Sequence, residues 1–137
     1  MTGDGRLKIK NALVSVSDKT GLEKLITCLD KNKVSIFSTG GTAKFIESLG
    51  INVTKVSEIT NFPEIMDGRV KTLNPLIYGG ILNRIGIDDD IQKEYGMINL
   101  DLMVINLYPF EETISGNNAD EADAIENIDI GGPSMIR

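Results

Sequence analysis

The first stretch of the sequence whose residue types suggest chemistry is residues 38–42, Ser-Thr-Gly-Gly-Thr. Two adjacent glycines, with hydroxyl residues on both sides, stand where an apolar β-branched run changes into a helical pattern. One interpretation is a tight turn followed by a helix N-cap. The other is a cradle for an anion, because exposed N–H groups at the start of a helix attract phosphate. This stretch alone leaves both interpretations open.

The composition is typical of one soluble globular domain, because 41% of the 137 residues are hydrophobic and 25% are charged. The sequence contains neither an apolar run that could span a membrane nor the apolar core of a signal peptide. We therefore expect a cytoplasmic protein without a membrane partner. With no histidine and one cysteine, Cys28, a zinc site and a Ser-His or Cys-His mechanism are excluded. Cys28 follows an apolar helix pattern, so we expect a buried structural thiol.

The charges are unevenly distributed along the chain. Residues 1–84 hold 12 Lys and Arg against 8 Asp and Glu, whereas residues 85–137 hold 2 against 12. The basic first part favours a phosphorylated small molecule as ligand. Nucleic acid is not an expected partner, because the sequence has no dense basic stripe with interleaved aromatic residues.

Alternating strand and helix patterns fill the first part of the chain. We predict strands over 11–16, 33–38 and 51–57, separated by a helix with apolar residues at 22, 25, 26 and 29 and by a helix over 42–50. This order is typical of an α/β fold with a mainly parallel sheet and helices on both faces. Further along, the pattern predicts helices over 88–95 and 119–126, a strand over 100–110, and a long irregular functional stretch over 57–80.

Three segments follow predicted strands and can meet at one edge of such a sheet. They are residues 15–20, 38–42 and 106–110. Ligands of open parallel sheets bind outside the carboxyl ends of the strands. Lys19, in the first of these loops, can supply positive charge beside the glycine turn. The convergence favours the anion cradle over the plain turn.

Several longer segments, taken together, resemble a known family. In chain order they read SVSDKTGL, STGGTAKF, FPEIMDGRVKTL, NLYPFEET and AIENIDIGGPSMIR. They resemble the N-terminal, methylglyoxal-synthase-like domain of the bifunctional purine enzymes AICAR formyltransferase/IMP cyclohydrolase, from about Ala12 to Arg137. The resemblance implies a three-layer α/β sandwich with a mainly parallel central sheet, formed by residues 1–137 as one C-terminally incomplete domain of a longer, homodimeric protein.

The resemblance also implies a reaction and its residues. The domain would close 5-formamidoimidazole-4-carboxamide ribotide (FAICAR) to inosine monophosphate (IMP) with loss of water, without metal or organic cofactor. The 10-formyltetrahydrofolate of the family belongs to the formyltransferase domain, which residues 1–137 do not include. The positions that match the family's nucleotide-binding residues are Ser17, Asp18, Lys19, Thr39, Gly40, Gly41, Thr42, Arg69, Val70, Thr72, Asn74, Ile105, Asn106 and Ile130.

Three further positions match the family's catalytic residues. Lys71 would stabilise the negative charge that develops on the formyl oxygen, and Asp129 would orient the carboxamide or accept its proton. Tyr108 would donate a hydrogen bond or shuttle a proton. Because the ring closure is intramolecular, holding the two groups in attacking geometry supplies much of the rate. Taken singly, each has a plainer interpretation: Lys71 is far more often a solvated surface charge, Tyr108 can be a strand-end anchor and Asp129 can cap a turn.

The sequence departs from the family in two places. Residues 74–80 read Asn-Pro-Leu-Ile-Tyr-Gly-Gly where the family reads His-Pro-Lys, a variable residue and His-Gly-Gly. The family's last catalytic lysine lies beyond Arg137. Two other functions compete with this one: a regulatory nucleotide-binding module of the same fold, and methylglyoxal synthase, whose pocket uses a histidine that this chain lacks. The segments GRVKTL and NLYPF favour the cyclohydrolase over both.

Overall fold

The computed structural model describes residues 7–107, 110–116 and 120–137. The strands are β1 (Asn11–Ser15), β2 (Ser35–Ser38), β3 (Thr54–Lys55) and β4 (Leu102–Ile105). The helices are α1 (Leu22–Lys31), α2 (Gly40–Ser48), α3 (Val56–Thr60), α4 (Pro75–Leu82), α5 (Asp89–Tyr95), α6 (Phe110–Ser115), α7 (Glu121–Glu126) and α8 (Gly131–Ile136), with a 3₁₀ turn over Met66–Gly68.

The four strands form one parallel sheet in the order β3-β2-β1-β4. Leu13, on the central strand β1, is aligned with Phe37 on β2 and with Met103 on β4. The predicted α/β fold with a parallel sheet is confirmed. Because all strands point the same way, the segments that follow β1, β2 and β4 emerge at the same edge.

The sheet separates two apolar clusters, since successive side chains of a strand point to opposite faces. Ala12 and Val14 face a cluster to which α1 and α2 contribute, with Leu22, Ile26, Leu29 and Ile46. Leu13 and Phe37 face the opposite cluster, to which α3, α4 and α8 contribute Val56, Ile77 and Met135. Helices therefore cover both faces, and the molecule has three layers.

The predicted strands over 51–57 and 100–110 were too long. Only Thr54–Lys55 and Leu102–Ile105 pair with the sheet. After β4, helix α6 begins at Phe110. The carboxylates of Glu111 and Glu112 in its first turn interact favourably with the positive end of the helix dipole. Tyr108 lies outside the described residues.

The stretch over 57–80, predicted as irregular, contains α3, the 3₁₀ turn and α4. Helix α4 begins with Pro75 at its first position, and the side-chain oxygen of Asn74 accepts a hydrogen bond from the Leu76 N–H at 2.9 Å. Gly79 and Gly80 lie inside this helix because a Cβ there would collide with Met97 and with the Ile98 carbonyl. Packing of α4 against residues 97–98 thus overrides the low helix propensity of glycine.

Cys28 is exposed, which corrects the expected buried thiol. The buried stripe of α1 consists of Leu22, Ile26 and Leu29. Cys28 is one residue before Leu29 and therefore about 100° away around the helix. Among the residues that the structure describes, no helix is long and apolar enough to cross a membrane.

Candidate functional site

A cleft of about 870 Å³ lies at the edge where β1, β2 and β4 end. Its lining combines hydroxyl, amide, basic and acidic groups from five segments of the chain. The segments are residues 15–19, 39–42, 67–72, 105–106 and 125–135.

The side chain of Asn106 connects the loop after β1 to the end of β4 by hydrogen bonds. The Asn106 Oδ1 atom accepts a hydrogen bond from the Ser17 N–H at 2.7 Å, and its Nδ2 group donates to the Asp18 carbonyl at 2.7 Å. The Asp18 carboxylate turns back on its own loop and accepts bonds from the N–H and the hydroxyl of Thr20 at 2.9 and 2.7 Å. These bonds, the backbone one first, lower the pKa of Asp18. Lys19 remains at the cleft.

The glycine turn is tied to β1 by its two threonines. The Thr39 hydroxyl lies 2.9 Å from that of Ser15, and the Thr42 hydroxyl donates to the Val16 carbonyl at 2.9 Å and accepts from the Val16 N–H at 3.2 Å. Both threonines are buried. Their hydroxyls, expected to hold a phosphate, are thus engaged within the fold.

The start of α2 offers backbone donors to the cleft. The Gly40 N–H donates to the Glu64 carboxylate at 3.1 Å. The N–H groups of Gly41 and Thr42 have no acceptor in the described part of the chain, as is usual for the first turn of a helix. Gly41 and Thr42 both line the cleft. The turn is therefore a helix start with two donors available to an anion.

Lys71 reaches this turn from the opposite wall. A Cβ atom added at Gly40 would lie 3.6 Å from the Lys71 Nζ atom, and one added at Gly68 would lie 3.4 Å from it. Both glycines have positive φ angles, +44° and +78°. The positive φ angles favour glycine at both positions, the Lys71 side chain runs past them at van der Waals distance, and its ammonium adds positive charge beside the helix start.

Arg69 pairs with Glu126 of α7 across the cleft, and the carboxylate of Asp67, two residues before Arg69, lies farther away, at 4.0 Å. The hydrogen bond to Glu126 is the main cause that raises the pKa of Arg69. Just before it, Met66 and Asp67 both have φ angles of +54°, a conformation that costs a non-glycine residue roughly 1–3 kcal/mol. This strained turn brings Arg69 to the cleft wall.

Asp129 lies at the start of α8. Its Oδ1 atom accepts a hydrogen bond from the Gly132 N–H at 3.1 Å. A Cβ atom at Gly132 would lie 3.3 Å from Ile105 Cγ2, and one at Gly131 would lie 2.9 Å from the Thr72 hydroxyl oxygen. The two glycines therefore allow α8 to approach β4 and Thr72 closely.

Most of the residues that the sequence nominated meet in this one cleft. Those that line it are Ser17, Lys19, Thr39, Gly41, Thr42, Arg69, Lys71, Thr72, Ile105, Asn106, Asp129 and Ile130. Asp18, Gly40, Val70 and Asn74 are not among the lining residues, and Tyr108 lies outside the described ranges. Asn74 uses its side-chain oxygen to cap α4.

Sequence reasoning missed Glu126 and Ile125, which bring α7 to the cleft. The sequence predicted a helix over 119–126 without assigning it to the site, although the segment AIENIDIGG, which contains both residues, was the available signal. Over residues 7–107, 110–116 and 120–137, no group of three or more His, Cys, Asp or Glu side chains is arranged to hold a metal ion.

The chain is similar to several known proteins. It is 53% identical over 131 residues to the bifunctional purine biosynthesis protein PurH of Xanthomonas euvesicatoria pv. vesicatoria (strain 85-10), and 54% identical to that of Xanthomonas oryzae pv. oryzae (strain PXO99A). The alignments include 96% of this chain, which spans 25% of the length of these relatives. The crystal structure of ForH superimposes with a TM-score of 0.76 at 32% identity, covering 93% of this chain and 66% of that one.

The family model of the MGS-like domain matches residues 21–134. This match includes the glycine turn, the Arg69–Thr72 segment and Asp129, whereas the cleft segment 15–19 precedes it. The chain belongs to the MGS-like domain family.

Proposed function

We propose that this chain is an IMP cyclohydrolase domain, which closes FAICAR to IMP with loss of water. The observation that carries the proposal is the identity of 53% to PurH, a bifunctional purine biosynthesis protein, along 96% of the chain. The cleft supports it, because the residues that the resemblance assigns to the nucleotide come from separate segments and line one cavity.

In the proposed complex, the phosphate binds at the glycine turn. The N–H groups of Gly41 and Thr42 donate to its oxygens, and the Lys19 ammonium group balances its charge. The heterocycle then extends toward Ile105, Asn106 and the start of α8. A purine nucleotide with one phosphate fits this division of the cleft into a cationic end and a mixed polar and apolar end.

The proposed chemistry is an addition followed by loss of water. The carboxamide nitrogen attacks the formyl carbon, and the formyl C=O becomes a C–OH group. The Asp129 carboxylate accepts the proton that the nitrogen loses, while the Lys71 ammonium group stabilises the oxygen and donates a proton to it. The hydroxyl then leaves as water with the proton that Asp129 had taken, and the former formamide nitrogen gives its N–H proton back to Lys71, which forms the C=N bond of the purine. Each step uses only substrate atoms and protein protons, so we propose that no metal or organic cofactor takes part.

A second candidate is a regulatory nucleotide-binding domain of the same fold. It is favoured by the observation that one donor of the cleft, and one at the start of α2, already have carboxylate partners. The Gly40 N–H is bonded to Glu64, and Arg69 is paired with Glu126. A domain with this internal pairing can bind and release a nucleotide without turnover.

Ring closure of FAICAR, followed by ultraviolet absorbance, tests the proposal on the natural protein that carries this chain. We expect turnover by the wild type and a loss of about 10²–10⁴-fold in Asp129→Asn, which keeps an oxygen for the Gly132 N–H but loses the base. The matched control is Asp90→Asn, an exposed residue in the first turn of α5. Full activity of Asp129→Asn would remove Asp129 from the mechanism.

A thermal-shift panel separates the alternatives. Stabilisation by IMP without turnover of FAICAR would support the regulatory domain. Stabilisation by dihydroxyacetone phosphate, with no response to IMP, would support methylglyoxal synthase. We expect IMP to stabilise the protein and UMP to do so less, because the cleft must enclose a purine.

A further inference from the structure

A pair of hydroxyl groups joins helix α4 to helix α8. The Tyr78 hydroxyl is hydrogen-bonded to the Ser134 Oγ atom, and both residues are half-buried. The Ser134 hydroxyl itself donates to the Gly131 carbonyl at 3.1 Å. Because a serine hydroxyl has one proton, the proton between the two hydroxyls comes from Tyr78. The chain of donors therefore runs from Tyr78 to Ser134 and ends on the first residue of α8.

The first turn of α8 is also where the cleft and the helix meet. The Gly132 N–H holds the Asp129 carboxylate at 3.1 Å, and the space beside Gly131 is closed by the Thr72 hydroxyl oxygen. A shift of α8 along or around its axis would therefore move Asp129 relative to Thr72. The position of this helix decides where the carboxylate points.

Two contacts fix α8 in different ways. Met135 is buried in the apolar cluster beneath the helix, and such burial is strong but non-directional. The Tyr78 hydrogen bond is directional, so it selects one rotation and one register of α8. The donor of this hydrogen bond is held in place, because helix α4, which carries Tyr78, is capped by Asn74 and buries Ile77.

We propose that Tyr78 is a positioning residue for Asp129, acting through Ser134 and the first turn of α8. The inference rests on the proposed function, in which Asp129 accepts the substrate proton. A purely apolar role is the competing explanation, since the Tyr78 ring also packs against the second cluster. The two explanations differ in one atom, the phenol oxygen, which only the positioning role requires.

Tyr78→Phe in the natural protein tests this difference, because it keeps the ring and removes the hydroxyl. We expect kcat for FAICAR closure to fall about 3- to 10-fold with KM within about twofold, since a displaced base impairs attacking geometry more than binding. Ser134→Ala should give the same loss, and the double variant should be no worse than either single variant. The control is Tyr95→Phe, which removes the same hydroxyl from an exposed position on α5 and should leave kcat unchanged.

The Asp129→Asn background shows whether the effect passes through the carboxylate. There, Tyr78→Phe should cause no further loss of kcat. The same fold-loss in both backgrounds, or unchanged kcat in Tyr78→Phe alone, would overturn the inference while leaving the proposed function intact.

Hydrogen exchange supplies a readout that does not depend on turnover. In Tyr78→Phe, the amides of Gly132, Ser134 and Met135 should exchange about 3- to 10-fold faster, while those of α4 keep their rates. If the wild type closes no ring, the proposed function fails. Unchanged exchange in α8 would then reject the positioning role as well.

Discussion

Two regions meet at the cleft, and they are fastened to the molecule in different ways. The edge formed by residues 15–20 and 38–42, here called the β1–β2 edge, is tied to the sheet by the hydroxyls of Thr39 and Thr42, both buried. The second region is residues 120–128, here called the α7 arm. Its helix contacts α6 and contains no buried residue, and its Glu126 side chain pairs with Arg69 on the opposite wall of the cleft.

The two regions differ in the interactions that hold them in place before a ligand binds. Buried hydrogen bonds hold the β1–β2 edge in one geometry, so its backbone donors are pre-organised for an anion. The α7 arm depends on an ion pair between half-exposed side chains, which salt weakens. We therefore expect mutations at the β1–β2 edge to act on stability and binding, and mutations in the arm to act mainly on how readily the cleft admits a ligand.

The largest effect should come from the buried hydroxyl of the β1–β2 edge. Thr42→Val keeps the side-chain volume but leaves the Val16 N–H and carbonyl without their partner, which costs about 2 kcal/mol of unfolding free energy. Urea unfolding measures it. Thr54→Val in β3 is the matched control, because the Thr54 hydroxyl makes no hydrogen bond to the residues that the structure describes. If both variants lower the free energy of unfolding equally, the hydrogen bonds of Thr42 do not stabilise this edge.

This edge was also the part that the sequence predicted best. Strands β1 and β2 and helix α2 lie within about two residues of their predicted ranges, and α1 contains the four predicted apolar positions, because each has a regular apolar period and a clear stop. The convergence of loops 15–20 and 38–42 followed from the parallel order of the strands. Local pattern and tertiary structure agree there.

Helix α8 shows why the sequence did not predict some of the other elements. Its sequence, GGPSMI, opens with two glycines and a proline, so local propensity argues against a helix. The helix forms because Met135 is buried and because only glycine fits beside Thr72 and Ile105. Such reasons lie in contacts between distant segments, which a single sequence does not display. Asn74 is similar: the resemblance assigned it to the substrate, whereas its Asn-Pro pattern is that of a helix N-cap.

Ligand binding should depend next on the charge at the β1–β2 edge. Lys19→Ala is expected to weaken IMP binding about tenfold at low salt, which corresponds to ~1.4 kcal/mol, and by less at 0.5 M salt, where screening is stronger. Isothermal titration calorimetry measures both. Lys93→Ala in α5 removes the same charge away from the cleft and should leave the affinity unchanged. A Lys19→Ala variant that binds as tightly as the wild type would contradict the phosphate site.

A smaller effect of opposite sign is expected in the α7 arm. Glu126→Gln frees Arg69 from its internal partner, so a larger fraction of molecules can offer the guanidinium to a ligand, and IMP affinity should rise about threefold. Glu121→Gln removes the same charge from the same helix and should cause a clearly smaller change. If Glu126→Gln weakens binding instead, the ion pair orients Arg69 for the ligand rather than competing for it.

The smallest effect concerns the loop after β1 and its response to acid. Hydrogen bonds from Thr20, with the backbone N–H as the first cause and the hydroxyl as the second, hold the pKa of Asp18 below its usual range. A carboxylate whose pKa is lower in the folded state contributes stability above its unfolded-state pKa and loses it as the pH falls through the folded value. The loop should therefore loosen only in strong acid.

Thr20→Val sharpens the point, because it removes the hydroxyl and keeps the larger backbone contribution. In an NMR titration, the pKa of Asp18 should rise but stay below the usual range for aspartate. The bonds from Asn106 to Ser17 and Asp18 do not involve this carboxylate, so the cleft side of the loop should keep its position and IMP affinity should change less than twofold. If the pKa of Asp18 returns fully to the usual value, removal of the hydroxyl has also broken the hydrogen bond from the Thr20 N–H. The loop would then be held less firmly than its hydrogen bonds indicate.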